Sequence, residues 1–82
     1  MTSLTKRQRQ VLALLALGYE PAMIAHNLSL SKRTVDFHVA EIYNRSPRCY
    51  NRTHLYHAHG VWGMAPAVLE SIAATGQMEA TR

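Results

Sequence analysis

Two groups of side chains in the sequence have the types from which a chemical site is built. The first is Cys49 with His54, His57 and His59, a thiol and three imidazoles in one short stretch. On a helix His54 and His57 share a face, which is the convergence a zinc site needs. The spacing fits none of the paired-ligand patterns, however, and neither a second cysteine nor a nearby carboxylate completes a set. As a nucleophile beside a base, Cys49 lacks the orienting third group and the cleft that a reactive thiol requires. The reading is therefore no metal, no cofactor, no small-molecule substrate and no enzyme.

The second group is cationic and faces outward. In the run from Lys32 to Arg45, Val35, Val39 and Ile42 fall within about 60° of one another at 100° per residue, so these three turn inward. Arg33, Phe37, Ala40, Glu41 and Asn44 then point the opposite way. Lys32 and Arg33 open the run, where the unpaired N–H groups of a helix start add positive potential, and they suit phosphate oxygens. Asn44 has the amide that bonds an adenine edge. His38, at the rim of the inward face, reads as a helix-packing residue. This is the chemistry of recognition, not of bond making.

The composition supports a polyanionic partner. The 82 residues carry a net charge of +4, unevenly spread. Residues 1–52 hold eight of the nine Lys and Arg against three of the five acidic residues, a net of +5, while residues 53–82 hold one against two. A chain this short builds one domain. Its longest apolar stretch, Val11 to Gly18, is far below the roughly 20 residues of a membrane span, and no leader segment opens it. With a single cysteine, Cys49, an internal disulfide is impossible. These features predict a cytoplasmic protein without membrane attachment.

The elements that must position these residues are all helical. Thr5 and Gln8 form a capping box at the start of a first helix, which Gly18 ends near Leu17. Glu20-Pro21 restarts the chain into a short helix with Ile24, Ala25 and Leu28 inward. Ser29-Leu30-Ser31 breaks it, with Ser31 capping the third helix over residues 32–45; Ser46-Pro47 stops that helix. Asn51 caps a fourth helix carrying Leu55, Ala58 and Trp62, interrupted near Gly60 and Gly63. A fifth follows from about Pro66, with Val68, Leu69 and Ile72 on one face and Gly76 as its stop, and Gln77 to Arg82 reads as a frayed tail. No strand or hairpin signal interrupts the series. The predicted fold class is all-α.

A short helix, a tight turn and a second helix with a basic start form the geometry of a helix-turn-helix reader, whose second helix enters the major groove of double-stranded DNA. The residues also carry a resemblance. Leu4-Thr5, Arg7-Gln8, Gln10-Val11-Leu12 and Gly18 are followed by Ile24-Ala25, Leu28, Leu30-Ser31, Thr34-Val35, His38, Ile42 and Arg45, and then by Asn51-Arg52-Thr53. This pattern resembles the LuxR-type (GerE-like) helix-turn-helix domain of bacterial transcription regulators, over about residues 4–60. Residues 1–63 are read as that domain, and residues 64–82 as a helical extension of the same compact unit.

The resemblance implies a four-helix bundle that binds DNA as a dimer, with the third helix in the major groove and the fourth at the dimer contact. By position, Ser31 and Thr34 approach phosphate, Arg7 lies close to the DNA backbone with Lys6 and Arg9 as its neighbours, and Asp36, Phe37 and Ala40 touch bases. This chain departs from the family's pattern where Asp36 stands for the usual Lys, at Ala40, where Ser46 replaces a usual Leu, and in a third-to-fourth connection one residue longer, carrying Pro47, Arg48, Cys49 and Tyr50. A carboxylate repels phosphates but accepts from cytosine N4, and Phe37 can press on a thymine methyl. An outward Phe is equally the mark of a protein contact, so the alternative is an adaptor that binds another transcription protein through the same face. A fused sensory domain, common in the family, lies outside the sequence, and regulation through one is not expected. A homodimer is expected through Leu55, Trp62, Val68, Leu69 and Ile72, unless the fifth helix folds back to enlarge the protomer core.

Overall fold

A computed structural model describes residues 4–77. The tail read from Gln77 onward lies, apart from Gln77 itself, outside these residues. Among them are five helices and no strand: α1 (Lys6–Ala16), α2 (Pro21–Leu28), α3 (Lys32–Asn44), α4 (Arg52–Ala58) and α5 (Pro66–Thr75).

Helix α1 is the centre of the molecule. Its capping box is complete: the Gln8 N–H donates to the Thr5 hydroxyl at 3.1 Å, and the Thr5 N–H donates to Gln8 Oε1 at 2.9 Å. Five consecutive residues, Val11 to Leu15, are buried, which requires neighbours on every side of the helix. Helices α2, α3 and α5 supply them. The helix stops one residue before Leu17 in a Schellman turn, where Gly18 takes φ +100° and the Tyr19 N–H donates to the Leu14 carbonyl at 3.0 Å.

Helix α2 ends the same way, but with Ser29 in the left-handed position at φ 58° and the Leu30 N–H donating to the Ala25 carbonyl at 2.8 Å. Ser31 then opens α3 by accepting from the Thr34 N–H at 3.1 Å. On α3, Val35 and Ile42 are fully buried; Val39, expected on the same inward face, is only half-buried at its rim. Arg45 is the C-cap of α3 rather than part of it.

The C-terminal third departs more from expectation. Asn51 caps α4 by accepting from the His54 N–H at 2.9 Å, but the helix ends at Ala58, so Trp62 lies in the turn beyond it and stays exposed. Helix α5 folds back onto α1. The Gln10 amide donates to the Ala73 carbonyl at 3.0 Å, and the Arg9 guanidinium donates to the carbonyls of Gly76 and, at 2.6 Å, Leu4. Leu55, Leu69 and Ile72 are thereby buried inside the protomer with Val61, and Val68 is half-buried. Of these, Leu55, Val68, Leu69 and Ile72 were expected at a dimer contact unless the fifth helix folded back; it does fold back, and the chain's own core takes them in. No helix among the described residues is long and apolar enough to cross a membrane.

Candidate nucleic-acid interface

The outward side of α3 is a narrow stripe. At helical spacing Arg33, Phe37, Ala40 and Asn44 fall within about 40° of a common line and span about 16 Å of axis. All four are exposed, Phe37 at 60%. Glu41, expected in the same set, is half-buried to one side. The packing of Val35 and Ile42 against α1 and α2 holds this stripe outward, and the Ser29 turn sets the angle at which α3 leaves α2.

The charges around the stripe are partly paired. Lys32 Nζ lies 3.0 Å from Asp36 Oδ2, and Arg45 Nε lies 4.0 Å from Glu41 Oε1. Ser31 and Thr34 share a hydroxyl hydrogen bond at 2.9 Å beside the helix start. Arg7 reaches toward α3 from the start of α1: burial first, and then the Arg7 charge, push the His38 imidazole below its ordinary range. The two neighbours of Arg7 have other tasks. Arg9 is bonded to the carbonyls of Leu4 and Gly76, and the Lys6 side chain lies against Gly76. The structure thus gathers Ser31, Lys32, Thr34 and Asp36 at one end of α3, places Arg7 beside His38, and leaves Arg45 at the far end with Glu41.

The family model described as bacterial regulatory proteins, luxR family (GerE), matches residues 2–58. The chain belongs to this family. Its members are DNA-binding helix-turn-helix transcription regulators, and DNA is accordingly the partner of this luxR-family protein. The match takes in α1 to α4 and stops before α5. Neither the curated proteins nor the solved structures contain a match to the chain.

In this luxR-family chain the cysteine and histidines have individual partners instead of a common centre. The His57 ring stacks on Trp62 with centroids 4.8 Å apart, His54 Nδ1 accepts from the Tyr50 N–H at 3.3 Å, and Cys49 Sγ lies 3.7 Å from the His54 carbonyl. His59 Nε2 is 2.6 Å from Ser46 Oγ, which is also 2.6 Å from the Ile42 carbonyl. Burial pushes the His59 imidazole below its ordinary range. Among the described residues no three His, Cys, Asp or Glu side chains gather as a metal set.

Sequence reasoning missed two of these contacts. The Ser46–His59 pair joins residues just beyond the ends of α3 and α4, and nothing local in the sequence announces it. The Lys32–Asp36 pair did have a signal that could have found it, the four-residue spacing at which helix side chains meet.

Proposed function

We propose that the protein regulates transcription by placing α3 in the major groove and choosing among sequences there. The observation that carries this reading is the exposed stripe of Arg33, Phe37, Ala40 and Asn44 on the second helix of the helix-turn-helix. Arg33, with Lys32, Ser31 and Thr34 at the helix start and Arg7 and Arg45 to the sides, supplies positioning contacts to phosphates. Phe37, Asp36, Ala40 and Asn44 meet base edges. A DNA ligand puts this work in the cytoplasm. Residues 1–63 act as the reading module, with 64–82 as its structural extension.

Two copies act together, on half-sites about 10 base pairs apart. With Leu55, Leu69 and Ile72 in the protomer core and Val68 half-buried, the expected dimer residue that remains open is Trp62, 56% exposed. Pairing is therefore weak in solution and is completed on DNA.

The test compares Arg33→Ala and Phe37→Ala on a preferred duplex and on random duplexes over a salt series. Loss of Arg33 should weaken binding to all sequences alike. Loss of Phe37 should relax choice at one position, by about 1–3 kcal/mol of discrimination. The exposure of Phe37 also supports a second reading, an adaptor that docks another protein on this face. That reading takes over if Arg33→Ala leaves DNA affinity unchanged while Phe37→Ala abolishes capture of a protein partner.

A further inference from the structure

The charge distribution along α3 is unusual for a surface meant to meet phosphates. The helix carries Lys32 and Arg33 with Arg45 as its cap, yet Asp36 sits 3.0 Å from the Lys32 ammonium and Glu41 sits by Arg45. Among the described residues, Arg33 is the cation of this group outside an ion pair. Both members of the Lys32–Asp36 pair are more than half exposed, at 61% and 51%, and an exposed pair contributes little to a fold. Its effect falls on the face instead. With α3 in the major groove as proposed above, the ammonium would be neutralised where the first turn meets the DNA backbone, and an acceptor-only carboxylate would accompany it.

We propose that Asp36 determines specificity by exclusion. Resting on the major-groove reading above, the proposal is that its carboxylate weakens the hold on arbitrary DNA and is accommodated where the facing base edge presents an amino group. Cytosine fits best, because its N4 is a pure donor in the major groove. Adenine sets the N7 acceptor beside its N6 donor, and guanine and thymine turn acceptors toward the site. In the same way Lys32, bound to Asp36, releases little counterion from a phosphate until the carboxylate has found its base.

The experiment measures wild type, Asp36→Ala and the double variant Lys32→Ala/Asp36→Ala on random duplexes and on the duplex that wild type selects from a random pool. Circular dichroism and melting serve as the folding control, which exposed positions should pass. Asp36→Ala should bind random duplexes about threefold to tenfold more tightly, with a slope of log affinity against log salt steeper by about 0.9 per bound protomer. Its preference for the selected duplex should fall about tenfold, mainly at a cytosine. Adding Lys32→Ala should flatten the slope again by about the same 0.9. If Asp36→Ala matches wild type in slope and preference while wild type itself binds DNA in a salt-dependent way, the exclusion role is wrong and the groove reading stands. A folded Asp36→Ala that loses its grip on random DNA would make Asp36 an attractive contact, which also overturns the proposal. If wild type shows no salt-dependent binding to DNA at all, the reading beneath it fails.

Discussion

Ser46 is the residue whose chemistry is most constrained. Its side chain is buried, 4% exposed, between the Ile42 carbonyl and His59 Nε2, each at 2.6 Å. A hydroxyl has one hydrogen, and a carbonyl can only accept. The Ser46 hydroxyl therefore donates to Ile42, and His59 donates its Nε2–H to Ser46, which selects that imidazole tautomer. Ser46→Ala leaves the His59 N–H without its acceptor and removes one of the two donors to the Ile42 carbonyl, which keeps the Arg45 N–H at 3.2 Å; it should cost about 1–3 kcal/mol in urea denaturation. His59 and His38 also predict how stability follows pH. Both imidazoles sit below their ordinary range in the folded protein, so the unfolded chain takes up protons first. Stability is complete above the unfolded value of about 6.5 and is lost as pH falls below it. Melting temperature should drop between pH 7 and pH 5, and His59→Gln, which keeps an N–H donor without titrating, should flatten that drop. A melting temperature independent of pH in both proteins would contradict this.

At the scale of elements, α5 separates the competing uses of apolar surface. Ile72 is 1% exposed against α1 and its neighbours, so Ile72→Ala should cost about 2–5 kcal/mol in the isolated protomer. Trp62→Ala, at an exposed turn position, should change stability by less than about 0.5 kcal/mol. Comparable losses from the two would return Trp62 to the core. Most helix ends were legible because they are local: Thr5, Ser31 and Asn51 each cap within three residues, and Gly18 and Gly76 each supply a left-handed backbone. The destination of α5 was not. Val68, Leu69 and Ile72 form the same apolar face whether it meets a second copy or α1, since periodicity specifies a face and not its neighbour. For a related reason the α3 stripe was legible in the sequence, whereas the four-residue spacing of Lys32 and Asp36 allows an ion pair without requiring one, and the structure closes it at 3.0 Å.

Over the whole molecule, the positive charge lies with the module that bears α3, and the residues from 53 onward carry a net −1. Helix α5 itself bears no Lys or Arg, so it contributes packing rather than phosphate contacts. Light scattering at tens of micromolar without DNA should give about the 9.2 kDa of one chain, and a duplex with two half-sites should capture two copies. A stable dimer free of DNA would show that the buried Leu55, Leu69 and Ile72 leave enough other surface for association. The Arg9 guanidinium has a consequence for the connectivity of the chain. One side chain bonds the carbonyls of both Leu4 and Gly76, so the two ends of the described fold meet at a single corner. A short glycine linker from Gln77 to Leu4, with new ends opened at the exposed Tyr50 between α3 and α4, should give a circular permutant that folds and keeps its reading helix.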